Sequence, residues 1–72
     1  MNKETLLKKF GKNVKIERIK KDLTREQLAE TMDVSANYLS SIENGKANMS
    51  LAKVLELSQY LGTDIENLLN FK

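Results

Sequence analysis

Thr24 to Gly45, TREQLAETMDVSANYLSSIENG, holds signals for two short helices and almost nothing to join them. Thr24 is an N-cap, and Gln27 three residues on completes a capping box, in which two otherwise orphaned N–H groups are satisfied reciprocally. That spacing predicts a helix from Arg25 to Met32. Ser35 is a second N-cap, Leu39 and Ile42 lie three apart, and Gly45 follows at the C′ position, so the next helix spans residues 36–43. Only Asp33 and Val34 separate the first helix from the cap of the second. A turn that short makes two brief helices cross steeply, with their backbones in close approach. Ala29 is the small residue facing the crossing, and Leu28, Met32, Val34, Leu39 and Ile42 are placed to form a shared core. The arrangement is a helix-turn-helix.

Three more helices flank it. Leu6, Phe10, Val14 and Ile19 mark one over residues 5–20. Ser50 caps another over 51–61, with Leu51, Val54, Leu55, Ser58 and Leu61 on one face and Gly62 at its end. Asp64 caps the last, over 65–70, short and apolar through Ile65, Leu68 and Leu69. Nothing repeats, Pro is absent, and no window alternates like a strand. The expected fold is all-α, a compact five-helix bundle formed by residues 1–72 as a single domain. At 72 residues, its core must draw on nearly every apolar side chain.

Composition excludes several functions. The chain has no Cys and no His, which removes disulfides and the usual zinc, iron and copper ligand sets. No metal, cofactor or small-molecule ligand is expected. The Ser, Asp and Glu residues fall in caps or on solvated faces, with no base beside a nucleophile, so no catalytic residue and no enzyme is expected. Apolar runs never exceed two residues, leaving no membrane span and no signal-peptide core. A cytoplasmic protein, intact as written, is the expectation. The net charge of +2 hides an asymmetry: residues 1–21 hold eight Lys or Arg against Glu4 and Glu17. Residues 22–49 hold Arg25 and Lys46 against five acids. A basic segment attracts nucleic acid or anionic membrane, but lysines on a solvated helix face are the commoner explanation.

The segment from Leu23 to Leu69 resembles the Cro/C1-type (XRE-like) family of bacterial and phage DNA-binding regulators. The resemblance covers roughly residues 10–69. It rests on Leu-Thr-x-x-x-Leu-Ala, Val-Ser, Tyr-Leu-Ser-x-Ile-Glu-x-Gly-Lys, Ser-Leu and Leu-Gly, in that order. It implies a lambda-repressor-like bundle and a sequence-specific transcriptional regulator, acting as a repressor or autoregulator. Two positions depart from the pattern. Asp33 stands where Gly is usual, and Asp tolerates the left-handed conformation better than most residues. Met49 stands where Pro is frequent.

Val34–Ile42, VSANYLSSI, has no charge in a chain that is 31% charged. With Leu39 and Ile42 inward, Asn37, Ser40 and Ser41 point outward and Ala36 and Tyr38 lie on the flanks. A helix entering the major groove, about 12 Å wide, needs short side chains at base edges. Asn bonds adenine bidentately, Ser donates or accepts, and Ala packs on a thymine methyl. Ala36, Asn37, Ser40 and Ser41 are therefore the candidate base readers. The competing explanation is a protein-interaction module of the same fold, with this face meeting a protein partner.

Arg25 opposes the dipole of its own helix, which suits a phosphate placed at that N-terminus. By resemblance the loop donors Asn44, Lys46 and Asn48 grip the backbone of double-stranded DNA. Thr24 and Ser35, first of all caps, and Tyr38 complete that expected set. The resemblance also pairs Glu43 with Arg18 as an internal structural ion pair. It implies a homodimer on an inverted-repeat operator, formed through Ile65, Leu68, Leu69 and Phe71, since the apolar tail exceeds what one core can cover.

Overall fold

In the computed structural model, which describes residues 1–72, the capping box at Thr24 closes in both directions. Gln27 N–H donates to Thr24 Oγ1 at 3.0 Å and Thr24 N–H to Gln27 Oε1 at 2.9 Å. The helix it starts, α2, spans Arg25–Met32, and α3 spans Ala36–Glu43, both with the bounds the sequence predicts. They are joined as the short turn requires. Asp33 adopts the left-handed conformation (φ 56°) and donates to the Glu30 carbonyl at 3.1 Å. Val34 donates to the Ala29 carbonyl at 3.0 Å, which completes a Schellman motif. Ala29 is buried at the crossing.

The other helices are α1 (Lys3–Lys20), α4 (Leu51–Leu61) and α5 (Ile65–Leu68). Each departs in part from expectation. α1 begins two residues earlier than residue 5, because the Asn2 side chain accepts from Thr5 N–H at 2.8 Å and caps it. Its buried stripe is Phe10, Val14 and Arg18, at intervals of four. Leu6 and Ile19, expected on that stripe, are exposed. The reason lies in α3: a buried carboxylate there needs a cation, so Arg18 takes the inward position and Ile19 is rotated to solvent.

In α4 the inward face is Val54, Leu57, Ser58 and Leu61. Leu51 and Leu55, expected inside, are 69% and 47% exposed, while Leu57, not expected, is fully buried. The helix carries two interleaved apolar stripes, and packing against α2 and α5 selects one. α5 stops at Leu68 and not at residue 70, and Asp64 makes no side-chain cap bond. Leu68 is fully buried in the core, so it is withdrawn from the expected dimer surface. Ile65, Leu69 and Phe71 pack against the core and remain partly exposed.

α1 lies along α3 and α5, and α2 packs on α3 and α4, so one core serves all five helices. Asn13 ties the tail to α1, donating to the carbonyls of Leu68 at 3.0 Å and Asn70 at 2.8 Å. Lys9 adds a bond to the Phe71 carbonyl at 2.9 Å. The closest approach is at Gly11, inside α1. A Cβ there would collide with the Ile42 carbonyl oxygen and come within 2.6 Å of the Glu43 carbonyl oxygen. Glycine is what allows α1 to touch the backbone at the end of α3. Gly11→Ala should therefore lower stability by about 1–3 kcal/mol through overpacking, although Ala is the better helix former by roughly 0.8–1.0 kcal/mol. Urea denaturation measures this; a variant as stable as the parent would mean that α1 and α3 separate without cost.

Candidate nucleic-acid interface

Leu39 and Ile42 are fully buried and Glu43 is 6% exposed, which fixes the inner face of α3. Asn37 stands on the opposite side, exposed and without a side-chain hydrogen bond. Ser40 and Ser41 are half-buried, less outward than expected, because a hydroxymethyl group hardly rises above the helix backbone. Ala36 is also half-buried and packs against the core, so only part of its methyl faces out. Asn44 Nδ2 donates to Ser40 Oγ at 3.3 Å, linking a candidate base reader to a candidate backbone donor.

The rims are built by caps and turns. The Thr24 and Ser35 hydroxyl oxygens accept from Gln27 and Tyr38 N–H, each at 3.0 Å, and so hold the starts of α2 and α3. Both residues are exposed, and their hydroxyl hydrogens remain free to donate. After α3, Gly45 takes a left-handed conformation (φ 72°) and Lys46 N–H donates back to the Ser41 carbonyl at 2.9 Å. The turn presents Lys46, exposed and in no ion pair. Tyr38 Oη donates to the Asn48 carbonyl at 3.3 Å and so anchors the following loop to α3. Tyr38 is thus tied into the scaffold, while the Asn48 side chain stays exposed.

Glu43 is the electrostatic centre. Arg18 donates to it from Nε at 2.7 Å and from Nη2 at 3.2 Å, and its Nη1 bonds the Leu23 carbonyl at 2.7 Å. The ion pair that the resemblance implies is therefore formed, with its side chains 10% and 1% exposed. A second bond was not foreseen. Arg25 Nε donates to Glu43 Oε1 at 3.0 Å, so the candidate phosphate ligand belongs to the same cluster. No spacing rule brings residues 18, 25 and 43 together; a Glu at the unfavourable C-terminal end of a helix is the only local sign of it. No helix is long and apolar enough to cross a membrane, and no three His, Cys, Asp or Glu side chains cluster as a metal site.

Two short helices crossing at a tight turn, the second with an uncharged polar face between cationic rims, define a helix-turn-helix DNA-binding domain. Residues 14–68 match the family model for the helix-turn-helix. The chain belongs to that family, in its Cro/C1 (XRE-like) branch, and is a DNA-binding regulator of transcription and not an enzyme. It is 39% identical to control protein C.MunI of Mycoplasma sp. over 61 residues, which cover 83% of this chain and 82% of that protein. It is 36% identical to control protein C.BamHI of Bacillus amyloliquefaciens over 63 residues, 86% of this chain and 78% of the relative. Its structure is similar to that of the restriction-modification controller protein C.AhdI from Aeromonas hydrophila, with a TM-score of 0.80 at 32% identity. The likeness covers 86% of this chain and 94% of C.AhdI.

Arg18→Met keeps the aliphatic bulk but leaves Glu43 with Arg25 alone. Removing one partner of a buried pair should cost about 3 kcal/mol, read as a lower denaturation midpoint. A loss below about 1 kcal/mol would place this pair with the weak surface pairs.

Proposed function

We propose that this chain binds a two-fold operator as a homodimer and acts as a repressor or autoregulator, in the manner its similarity to control proteins suggests. Control of a restriction–modification operon in the bacterial cytoplasm is the role that similarity favours. The observation that carries the reading is the exposed, unpaired Asn37 on an uncharged α3 face, flanked by Arg25 and Lys46. Asn37 reads a base edge, with Ser40, Ser41 and Ala36 in closer support. Arg25, Lys46, Asn44 and Asn48 meet phosphates, with the hydroxyls of Thr24 and Ser35 and the Tyr38 ring at the edges.

The dimer surface is built from α4 and the tail. Leu51 and Leu55 lie four apart on α4, both exposed. Leu51 also borders an apolar groove of about 260 Å³ with Leu6, Leu69 and Phe71. The groove and the exposed Leu55, one turn beyond Leu51, leave apolar surface that a second copy would cover around a two-fold axis. Each protomer then contributes one α3, with half-site centres about 34–36 Å apart, near one turn of DNA.

Asn37→Ala should weaken binding to the selected operator by about 1–3 kcal/mol and relax preference at one base pair per half-site. Selection from a random DNA pool followed by titration reads both effects. An equal loss on all sequences would make Asn37 a positioning contact. The assembly has its own test. Leu51→Glu should leave folding intact, since the side chain is already 69% exposed. It should keep the protein monomeric at micromolar concentration by ultracentrifugation, because the charge would be desolvated in the interface. Operator affinity should fall far more than affinity for random DNA, as two half-site energies no longer add. A dimer persisting in this variant would place the interface elsewhere.

A further inference from the structure

Glu43 does more than hold α3 to α1. Its carboxylate is 1% exposed, yet it serves two guanidinium groups that differ in setting. Arg18 is enclosed, with Nε, Nη1 and Nη2 all bonded inside the protein. Arg25 is 37% exposed and spends only Nε on Glu43, so its Nη1 and Nη2 carry no bond. One acid between two arginines leaves a cluster of net +1, and the surplus charge sits on the half of Arg25 that faces solvent.

A guanidinium is planar, and its donors occupy fixed edges. Once Nε is bonded to Glu43 Oε1, the orientation of the ring of donors is set, and the Nη1–Nη2 end is the edge left for a ligand. That end matches two oxygens of a phosphate. A free Arg side chain would lose considerable rotamer freedom on docking to a phosphate; here the carboxylate has already restricted it.

We infer that Glu43 is a positioning residue for DNA binding, holding Arg25 by its Nε so that the opposite edge of the guanidinium meets a backbone phosphate. The inference rests on the proposed phosphate role of Arg25 and adds to it that a buried acid, which itself cannot reach DNA, raises affinity. Its sign is what makes it testable. By charge alone, removing an anion beside a phosphate site strengthens DNA binding. By positioning, the same change weakens it.

The experiment compares the full-length protein with E43Q, R25A, R25A/E43Q and R25K. Each is titrated on operator and random duplexes at several salt concentrations, at a temperature where a thermal melt shows the variant folded. R25A should weaken binding to both duplexes and flatten the salt slope by roughly one unit. E43Q should weaken binding roughly threefold to tenfold in the parent but not in the R25A background, a coupling of the size found for residues in one network. Lysine carries the charge on one ammonium without separate edges, so R25K should bind within about threefold of R25A; this arm decides the matter if E43Q does not fold. E43Q binding as well as or better than the parent overturns the inference, as does recovery of near-parental affinity in R25K. R25A with unchanged affinity and slope overturns the phosphate role itself, and the inference with it.

Discussion

A single carboxylate, Glu43, governs where α3 sits. It lies at the C-terminal end of that helix, where the dipole disfavours it, and it is removed from water. Left alone it would expel the helix from the core; paired with Arg18 and Arg25 it does the reverse. Arg18 brings α1 to it and Arg25 brings the start of α2, so one acid joins the three helices around the candidate interface. Gly11 completes the arrangement by removing the Cβ that would keep α1 from the last carbonyls of α3. Charge pairing and steric clearance act at the same place.

Around this centre the short helices are closed by one repeated device. α1, α2, α3 and α4 are each followed by a left-handed residue, at Asp22, Asp33, Gly45 and Gly62. At each, that residue and the next donate back to carbonyls of the last turn. Eight-residue helices have little stability of their own, so satisfied ends and a shared core carry them. The consequence for function is direct. α3 is held by its two ends and its inner face, and its outer face is relieved of any structural duty. That face can therefore be made of small uncharged side chains suited to a groove, while cations stay on the rims.

The division between core and surface on α1 follows from the pairing at Glu43, and that on α4 from its packing against α2 and α5. Arg18 occupies an inward position that periodicity would assign to an apolar residue, and Ile19 is turned out. On α4, Leu57 fills the core and Leu51 and Leu55 face solvent. What reads locally as one broad apolar face is a core stripe beside a second, exposed stripe, which is the one proposed above as a dimer surface.

Local chemistry made much of this protein legible. The capping box at Thr24, the cap at Ser35, the two-residue turn and the small Ala29 determined the bounds of α2 and α3 and their crossing, because each depends on residues within a few positions of one another. The uncharged character of the outer face of α3 was legible for the same reason, and with Leu39 and Ile42 inward it marked Asn37 as outward. Other features were decided only by packing. Which of two stripes on α4 is buried depends on what α2 and α5 present to it. The burial of Leu68, the tie from Asn13 to the tail, and the requirement for glycine at position 11 each depend on contact with a distant segment. The sharing of Glu43 by Arg25 is of this kind. Residues 25 and 43 belong to different helices, and only the crossing angle imposed by the core brings a guanidinium Nε within 3.0 Å of a carboxylate that already has a partner.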